Sequence, residues 1–600
     1  MHAPSPRQPA FNASTLAWLA LLLLAVSAYV FGLGGQYNPS NGDELVYTHI
    51  ARLTAASNHW LPLVSELDHM RNTKPPLLFW HAMVAGDWGR NWSMTALRTP
   101  SLIYTMLIAG AVFWTLKKIT HDLRSACVAA CVYLAFFCTF RFGRTFLTSA
   151  PETFWLSLPM FWLLWHRLRH DAEPPTNGLG WPAHIGLGMA LGLGLACKSF
   201  ALIAPAATAL WCSQLLTSPA LNWRVALQIS VKVSLSAAIA LGVFALWFVL
   251  DPDPGAVWQE FVIGENAGKL SNSQGYWHVA MLGGGFSIWA QLLAYVQNAG
   301  LLAFVVIGLA VVGLKFGFQV WRHEMGNTTL SPHLVILLVW LAVWLIVFTL
   351  PSQRSARYVI PAMPALAMLI ALYWERIARR WFLLSLLLSG LFLGVLGRIG
   401  WAAHELGIGT STELGATLLT VAAGFILLIS GLLKPAWTRA CTVATCLMVY
   451  TCFSLTTAPL NGPAGHYPDE VTAPLNKARI AVPSSFNGQF ERFQFLLPGN
   501  RFVPYDGDAL ARADAQLPPQ EELKRLLASH DAVIWLPLTP SEQAPPCVPA
   551  CTVLGTRWEV KGRHQSGEIT LANLWYPQSW LFRREWLLAR ATHAADGEPH

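Results

Sequence analysis

Two adjacent acids, Asp43 and Glu44, stand just beyond the first long apolar run, and Lys74 follows about thirty residues later, ahead of Pro75 and Pro76. The prolines bar a helix and hold the lysine on a stiff turn. Arg141 and Arg144 precede Glu152 in Ser149-Ala150-Pro151-Glu152, and later loops carry Glu265, Asn266 and Lys269, then Gln353-Arg354-Ser355-Ala356-Arg357-Tyr358. A carboxylate can act as a general base. Ammonium and guanidinium groups bind phosphate as a point charge and a planar fork. Together these residue types suit proton abstraction beside an anionic group. Each also has a plainer reading. Asn41-Gly42-Asp43-Glu44 and Pro151-Glu152 look like helix starts, where acids complement the dipole. Lys74 fits an interfacial lysine. Arg141 and Arg144 share a helical face and could meet lipid phosphates. His49, His59, His69 and His81 lack ligand spacing and read as ordinary loop residues, and no Cys or His group has zinc-site spacing.

The elements that position these groups are set by composition. Of 600 residues, 54% are hydrophobic and 12% charged, with mean hydropathy +0.42. Globular domains carry roughly 25% charge, so a cytosolic enzyme, a nucleic-acid binder and a disordered scaffold are excluded. Residues 458–600 hold 28 of the 72 charged residues and residues 1–457 the other 44. A membrane domain over 1–457 followed by a soluble tail over 458–600 is expected. The net charge of +8 has no basic stripe behind it; loop Lys and Arg of a multi-pass protein produce it. The 28 Trp suit aromatic belts at membrane interfaces.

A spanning helix needs about 20 apolar residues. Thirteen runs are expected to cross, some of them short: 14–33, 97–116, 125–140, 153–168, 183–197, 199–215, 226–250, 297–316, 331–350, 358–375, 381–397, 414–433 and 440–457. A charge at mid-bilayer is costly, so a break is expected at Lys198. The first run could also be a cleaved signal, since Ala25-Val26-Ser27-Ala28 offers small residues, but it is long for that role. With the N-terminus inside, inside segments carry 14 Lys and Arg and the short outside loops six, which places the tail outside. Every candidate group then lies at one outer face. Two outer loops are long, 34–96 and 251–296, and the stretch 43–56 reads as a helix lying flat on the membrane. In the tail, 479–482 and 532–536 read as strands and 519–529 as a helix, giving a small α/β domain. Eight cysteines lie in or beside apolar runs; Cys547 and Cys551, in an oxidising compartment, are expected to pair.

Asp43-Glu44, Ile50-Ala51-Arg52, Lys74-Pro75-Pro76-Leu77 and Ala96-Leu97-Arg98-Thr99-Pro100-Ser101 together resemble the first outer loop of the bacterial 4-amino-4-deoxy-L-arabinose (lipid A) transferases, themselves similar to the protein O-mannosyltransferases. Phe142-Gly143-Arg144, Pro151-Glu152, Leu195-Ala196-Cys197-Lys198, Glu265-Asn266 with Lys269, and Arg357-Tyr358-Val359-Ile360-Pro361 extend the likeness over 1–457. The resemblance implies a C-type glycosyltransferase fold of about 13 transmembrane helices with an outer α/β domain. It implies an inverting transfer of a pentose or hexose from a polyprenyl-phosphate donor to lipid A or another envelope acceptor. Asp43 then takes the catalytic position and Glu152 a second acidic one. Lys74, Arg144, Lys269, Arg357 and Tyr358 hold the donor phosphate, supported by Glu44, Arg141, Lys198 and Glu265. The family's Arg three residues after the Asp is here Val46, its Glu before the Lys is Thr73, and a His found in some members is Asn266. No metal site is therefore assigned, although a divalent cation stays open. The implied location is a bacterial inner membrane, with site and tail on the periplasmic side. A protein hydroxyl acceptor is the first alternative. A transporter is the second, but it would place its charges at mid-membrane in repeated broken helices, and no repeat is seen.

Overall fold

The structure, a computed structural model, describes residues 13–37, 42–169, 179–219, 221–267, 275–322, 330–484, 488–507, 518–537, 544–548, 550–562 and 567–590. Lipid offers no hydrogen bonds, so apolar runs close their backbone bonds within helices. In chain order the main helices of the body are α1 (Ala13–Val30), α2 (Gly42–Ala56), α3 (Leu77–Ala85), α4 (Met94–Thr120), α5 (Leu123–Ala135), α6 (Phe137–Gly143), α7 (Ser149–Arg169), α8 (Trp181–Leu195), α9 (Ile203–Leu216), α10 (Trp223–Leu250), α11 (Ala303–Trp321), α12 (Pro332–Val347), α13 (Met363–Leu372), α14 (Arg379–Glu405), α15 (Ser411–Leu433) and α16 (Thr438–Thr457).

Each of the thirteen apolar runs is largely helical, but thirteen crossings are not established. Among the described residues six helices are long and apolar enough to cross a membrane, and a seventh follows if α5 and α6, bent by 64°, form one span. The helix Ser14–Val30 and those over Phe200–Leu216, Pro332–Val347 and Ala356–Leu372 are apolar but shorter. The chain is a multi-pass membrane protein. As its charge requires, Lys198 lies in the turn between α8, ending at Leu195, and the helical stretch that resumes at Phe200.

Local signals fix the helix ends. Ser93 Oγ accepts from Ala96 N at the start of α4, Asp122 caps α5, and Thr410 with Glu413 forms a capping box on α15. Close packing relies on small residues. A Cβ on Gly192 of α8 would meet the Val243 side chain of α10 at 2.5 Å, so only glycine lets these helices approach so closely.

The tail folds around a five-stranded sheet in the order β2-β1-β3-β5-β4, with β1 (Arg479–Pro483), β2 (Arg501–Tyr505), β3 (Ala532–Trp535), β4 (Cys551–Val560) and β5 (Phe582–Arg590). β1 pairs in parallel with β2 and β3, and β5 runs antiparallel to β3 and β4. Helix α17 (Pro519–Ser529) makes the crossover into β3, burying Leu523, Leu526 and Leu527 against the sheet. Cys547 and Cys551 are bridged, with Cα atoms 5.5 Å apart. Strands β2, β4 and β5 were not among the expected elements.

Helix α2 departs from the expected surface helix. Nine of its residues, from Glu44 to Ala55, are buried. It lies between body and tail, and a Cβ on Gly488 (φ +77°) would sit 3.1 Å from the Val46 backbone. That positive φ and that approach both require glycine.

Candidate active site on the tail-bearing face

The first turn of α2 sends its two acids to different places, because successive helical side chains are about 100° apart. Glu44 turns inward. Its carboxylate accepts from Arg98 Nε (2.7 Å) and Nη2 (2.9 Å) and from Phe146 N (2.8 Å), with both partners buried. Asp43 stays about half exposed and pairs with Arg357 Nη1 at 3.0 Å. Arg357 lies over the Phe142 ring (4.8 Å), which Arg141 shares (5.1 Å).

Lys74 donates to Glu265 Oε1 (2.6 Å) and Thr73 O (2.8 Å). The same two segments are joined twice more: Asn72 N donates to Glu260 Oε2 (2.8 Å), and Arg71 pairs with Asp253 (3.2 Å). Acids of 253–265 thus fix the turn that presents Lys74. Glu152, fully buried, accepts from Lys198 Nζ (2.8 Å), which lies over the Tyr358 ring at 5.5 Å. The second oxygen of Glu152, Oε2, has no hydrogen-bond partner among the described residues. Ser199, next to Lys198, donates to Asn266 Oδ1 (2.8 Å).

Tyr47 is buried on α2, one turn after Asp43. Its ring stands edge-on to Phe79 and Phe146. Burial pushes its hydroxyl pKa well above the usual value, and Asp43, Glu265 and Glu152 add to that rise while Arg357 opposes it. Charged groups from segments far apart in sequence, Asp43, Glu152, Glu265 and Arg357, thus act electrostatically on one phenol. Sequence reasoning missed Tyr47, although its place at i+4 from Asp43 was a usable signal.

Arg144 is buried, donating from Nη2 to Phe31 O (2.6 Å) and lying over the Phe140 ring (4.6 Å), while its Nε and Nη1 have no hydrogen-bond partner among the described residues. Glu44 is a buried structural anion, tied down on both oxygens. Lys269 lies outside the described residues. His49 is not an ordinary loop residue: it is buried, its Nδ1 is 2.9 Å from Glu491 Oε2, and its Nε2 accepts from Glu66 N (3.1 Å). Arg52 completes this clamp with Nε–Oε1 at 2.6 Å and Nη2–Oε2 at 3.0 Å to Glu491. The reading from spacing failed because the partner lies in the tail.

At the Lys74–Glu265 pair the groups that could face a cation are already engaged. Thr73 and Asn266 offer only neutral oxygens. Asn266 already accepts from Ser199 and donates to Phe261 O (2.8 Å), and Glu265 is held by Lys74. No group of three or more His, Cys, Asp or Glu suited to a metal occurs among the described residues.

Comparison with known proteins agrees with the resemblance read in the sequence. The dolichyl-phosphate-mannose-protein mannosyltransferase family matches residues 19–254. The undecaprenyl phosphate-alpha-4-amino-4-deoxy-L-arabinose arabinosyl transferase 1 of Sodalis glossinidius is 28% identical over 372 residues, 60% of this chain and 59% of that protein. Transferase 2 of Proteus mirabilis is 24% identical over 64% of each chain, and the Edwardsiella ictaluri transferase is 25% identical over 72% of this chain and 76% of its own. The first two matches thus span less than two thirds of those relatives. The crystal structure of ArnT from Cupriavidus metallidurans bound to undecaprenyl phosphate superposes with a TM-score of 0.58 at 16% identity, over 98% of this chain and 100% of that one. Its apo form gives 0.54 over 87% and 93%. The fold is that of these glycosyltransferases.

Proposed function

We propose that this chain is a membrane glycosyltransferase that moves a sugar, 4-amino-4-deoxy-L-arabinose or another pentose or hexose, from a polyprenyl-phosphate donor to lipid A or another envelope acceptor. The observation that carries the reading is the linkage of three ion pairs, Asp43–Arg357, Lys74–Glu265 and Glu152–Lys198: Lys198 lies over Tyr358, next to Arg357, and Ser199 bonds Asn266, next to Glu265. The arabinosyl transferase relatives and the undecaprenyl phosphate named with the superposed structure support the donor class.

In this mechanism Asp43 removes the proton of the acceptor hydroxyl. The hydroxyl oxygen attacks the anomeric carbon as the bond to the phosphate oxygen breaks, with inversion. The electron pair leaves on the polyprenyl phosphate, whose charge Lys74 and Arg357 offset. A general base contributes roughly 10²–10⁴ in rate, and fixed cations add electrostatic stabilisation where water is scarce. A lipid-linked donor fits an active site on the periplasmic side of the inner membrane, beyond the reach of sugar nucleotides.

The test is transfer in detergent from undecaprenyl phosphate-linked 4-amino-4-deoxy-L-arabinose to lipid A, read by mass spectrometry. A product on lipid A is expected. Transfer only to serine or threonine hydroxyls of a protein would move the acceptor to the mannosyltransferase type, in line with the match over 19–254. Absence of transfer from any polyprenyl-phosphate sugar would overturn the reading.

A further inference from the structure

Among the described residues of the tail domain, exposed large apolar side chains concentrate in one place. Among its described residues six large apolar side chains are exposed, and four of them fall within eight positions: Ile569 (65%), Leu571 (87%), Trp575 (63%) and Tyr576 (56%). Leu571–Trp575 form a short helix capped by Thr570, whose Oγ1 accepts from Asn573 N. An isolated exposed leucine needs no explanation, but a contiguous patch does.

The position of this patch is fixed by α14. Arg398 Nε donates to Trp575 O (2.8 Å) and Nη2 to Gln578 Oε1 (3.3 Å). Farther along, Leu581 and Phe582 pack on Ala402, Ala403 and Ile408 at the end of the same helix. α14 is long and apolar enough to cross a membrane. Its far end carries Arg379 and Arg380, Arg379 being bonded to Leu432 O and Thr438 Oγ1 at the turn between α15 and α16. From Trp381 to Arg398 the helix advances about 26 Å at 1.5 Å per residue. The hydrocarbon core is about 30 Å thick. Arg398, and with it Trp575, therefore sits where hydrocarbon meets headgroups on the tail side. The exposed side chains Leu384, Leu387, Leu391, Phe392 and Trp401 run up α14 to this level, so the patch continues a lipid-facing surface. A tryptophan and a tyrosine are the aromatic residues favoured at that depth.

We propose that residues 569–576 form a membrane-inserting edge of the tail domain, with Leu571 and Trp575 entering the phospholipid leaflet on the tail side. Lipid at this edge then adds to the protein contacts that hold the soluble domain, the Glu491 clamp on α2 and the packing of Leu581 and Phe582 on α14. The inference rests on packing and depth and is independent of the reaction catalysed.

The test uses the full chain in nanodiscs of phosphatidylethanolamine and phosphatidylglycerol. A spin label is placed at Leu571→Cys, with Cys212→Ser removing a half-buried native thiol. A control label replaces Arg525 on the exposed side of α17, and Trp575→Cys gives a second reading should the first variant fold poorly. Collision with oxygen should exceed collision with a water-soluble nickel chelate several-fold at 571 and 575, and the order should reverse at 525. Preference for the nickel chelate at both patch positions would overturn the proposal by showing water there. Shielding from both reagents would also overturn it, by showing a protein partner or a second copy over the patch.

Discussion

Replacing Asp43 by Asn separates a chemical role from a structural one. The side chain keeps its size and its reach toward Arg357, 3.0 Å away, and loses only its basic oxygen. If Asp43 takes the acceptor proton, transfer should fall by roughly 10²–10⁴, equal to about 2.7–5.4 kcal/mol of barrier at 1.36 kcal/mol per factor of ten. The structural cost is far smaller. Asparagine starts a helix about as well as aspartate, and a half-exposed ion pair is worth about 0–1 kcal/mol. The variant should therefore melt within about 1 kcal/mol of the parent while turnover collapses. The assay is single-turnover transfer from saturating donor, with Glu152→Gln measured in parallel. Glu152 is the proper rival because it is buried and its Oε2 has no partner among the described residues. Asp43→Asn within threefold of the parent, with Glu152→Gln inactive, would refute the assignment and make Glu152 the base.

Lys74→Ala should raise the donor KM and lower turnover without unfolding the chain, since the Lys74–Glu265 pair is partly open to solvent; parental activity at limiting donor would leave Lys74 as an interfacial anchor. Arg98→Met strands the buried Glu44 carboxylate, at about 3–5 kcal/mol, and adding Glu44→Gln should restore part of the loss in a thermal melt; a single variant as stable as the parent would contradict the buried pair. Glu491→Gln should weaken the seat of the tail on α2 by about 1.5–3 kcal/mol per charged hydrogen bond lost, visible as faster amide exchange over 42–56; unchanged exchange there would refute the clamp. Buried Glu559 is pushed up by burial but held below its ordinary pKa by Arg492, Arg583 and Arg557. Its stabilisation is therefore present above the ordinary value of 4.5 and is lost as pH falls through the lower folded value. Acid melts of the tail should show that loss, and Glu559→Gln should flatten it.

The helical body was legible because apolar runs need no long-range partner to declare themselves, and Lys198 marked a break by charge alone. Asp43, Lys74, Glu152 and Arg357 were legible as types, but the ion pairs joining them were not. Those pairs link residues 46 to 314 positions apart, and no spacing rule reaches that far. For Arg144 a short arginine motif did not show that one nitrogen bonds Phe31 O while Nε and Nη1 stay buried without a partner among the described residues. Edge strands β2 and β4 were missed because each mixes polar and apolar residues without the buried run that exposed β1 and β3. His49 was dismissed for lack of a neighbouring ligand, when its partner was a glutamate in another domain.

That partner bears on how the molecule is made. Glu491 is translated more than four hundred residues after His49 and Arg52, long after the helices around them can have entered the membrane. Until the tail emerges and folds, α2 lacks the carboxylate that receives its buried histidine and its arginine, and the glycine that lies against Val46. A nascent chain stopped at residue 457 would contain every acid and cation of the candidate site and still have an unfinished one. Quality control that monitors only membrane insertion would pass such a chain, whereas a protease probing 42–56 would find it.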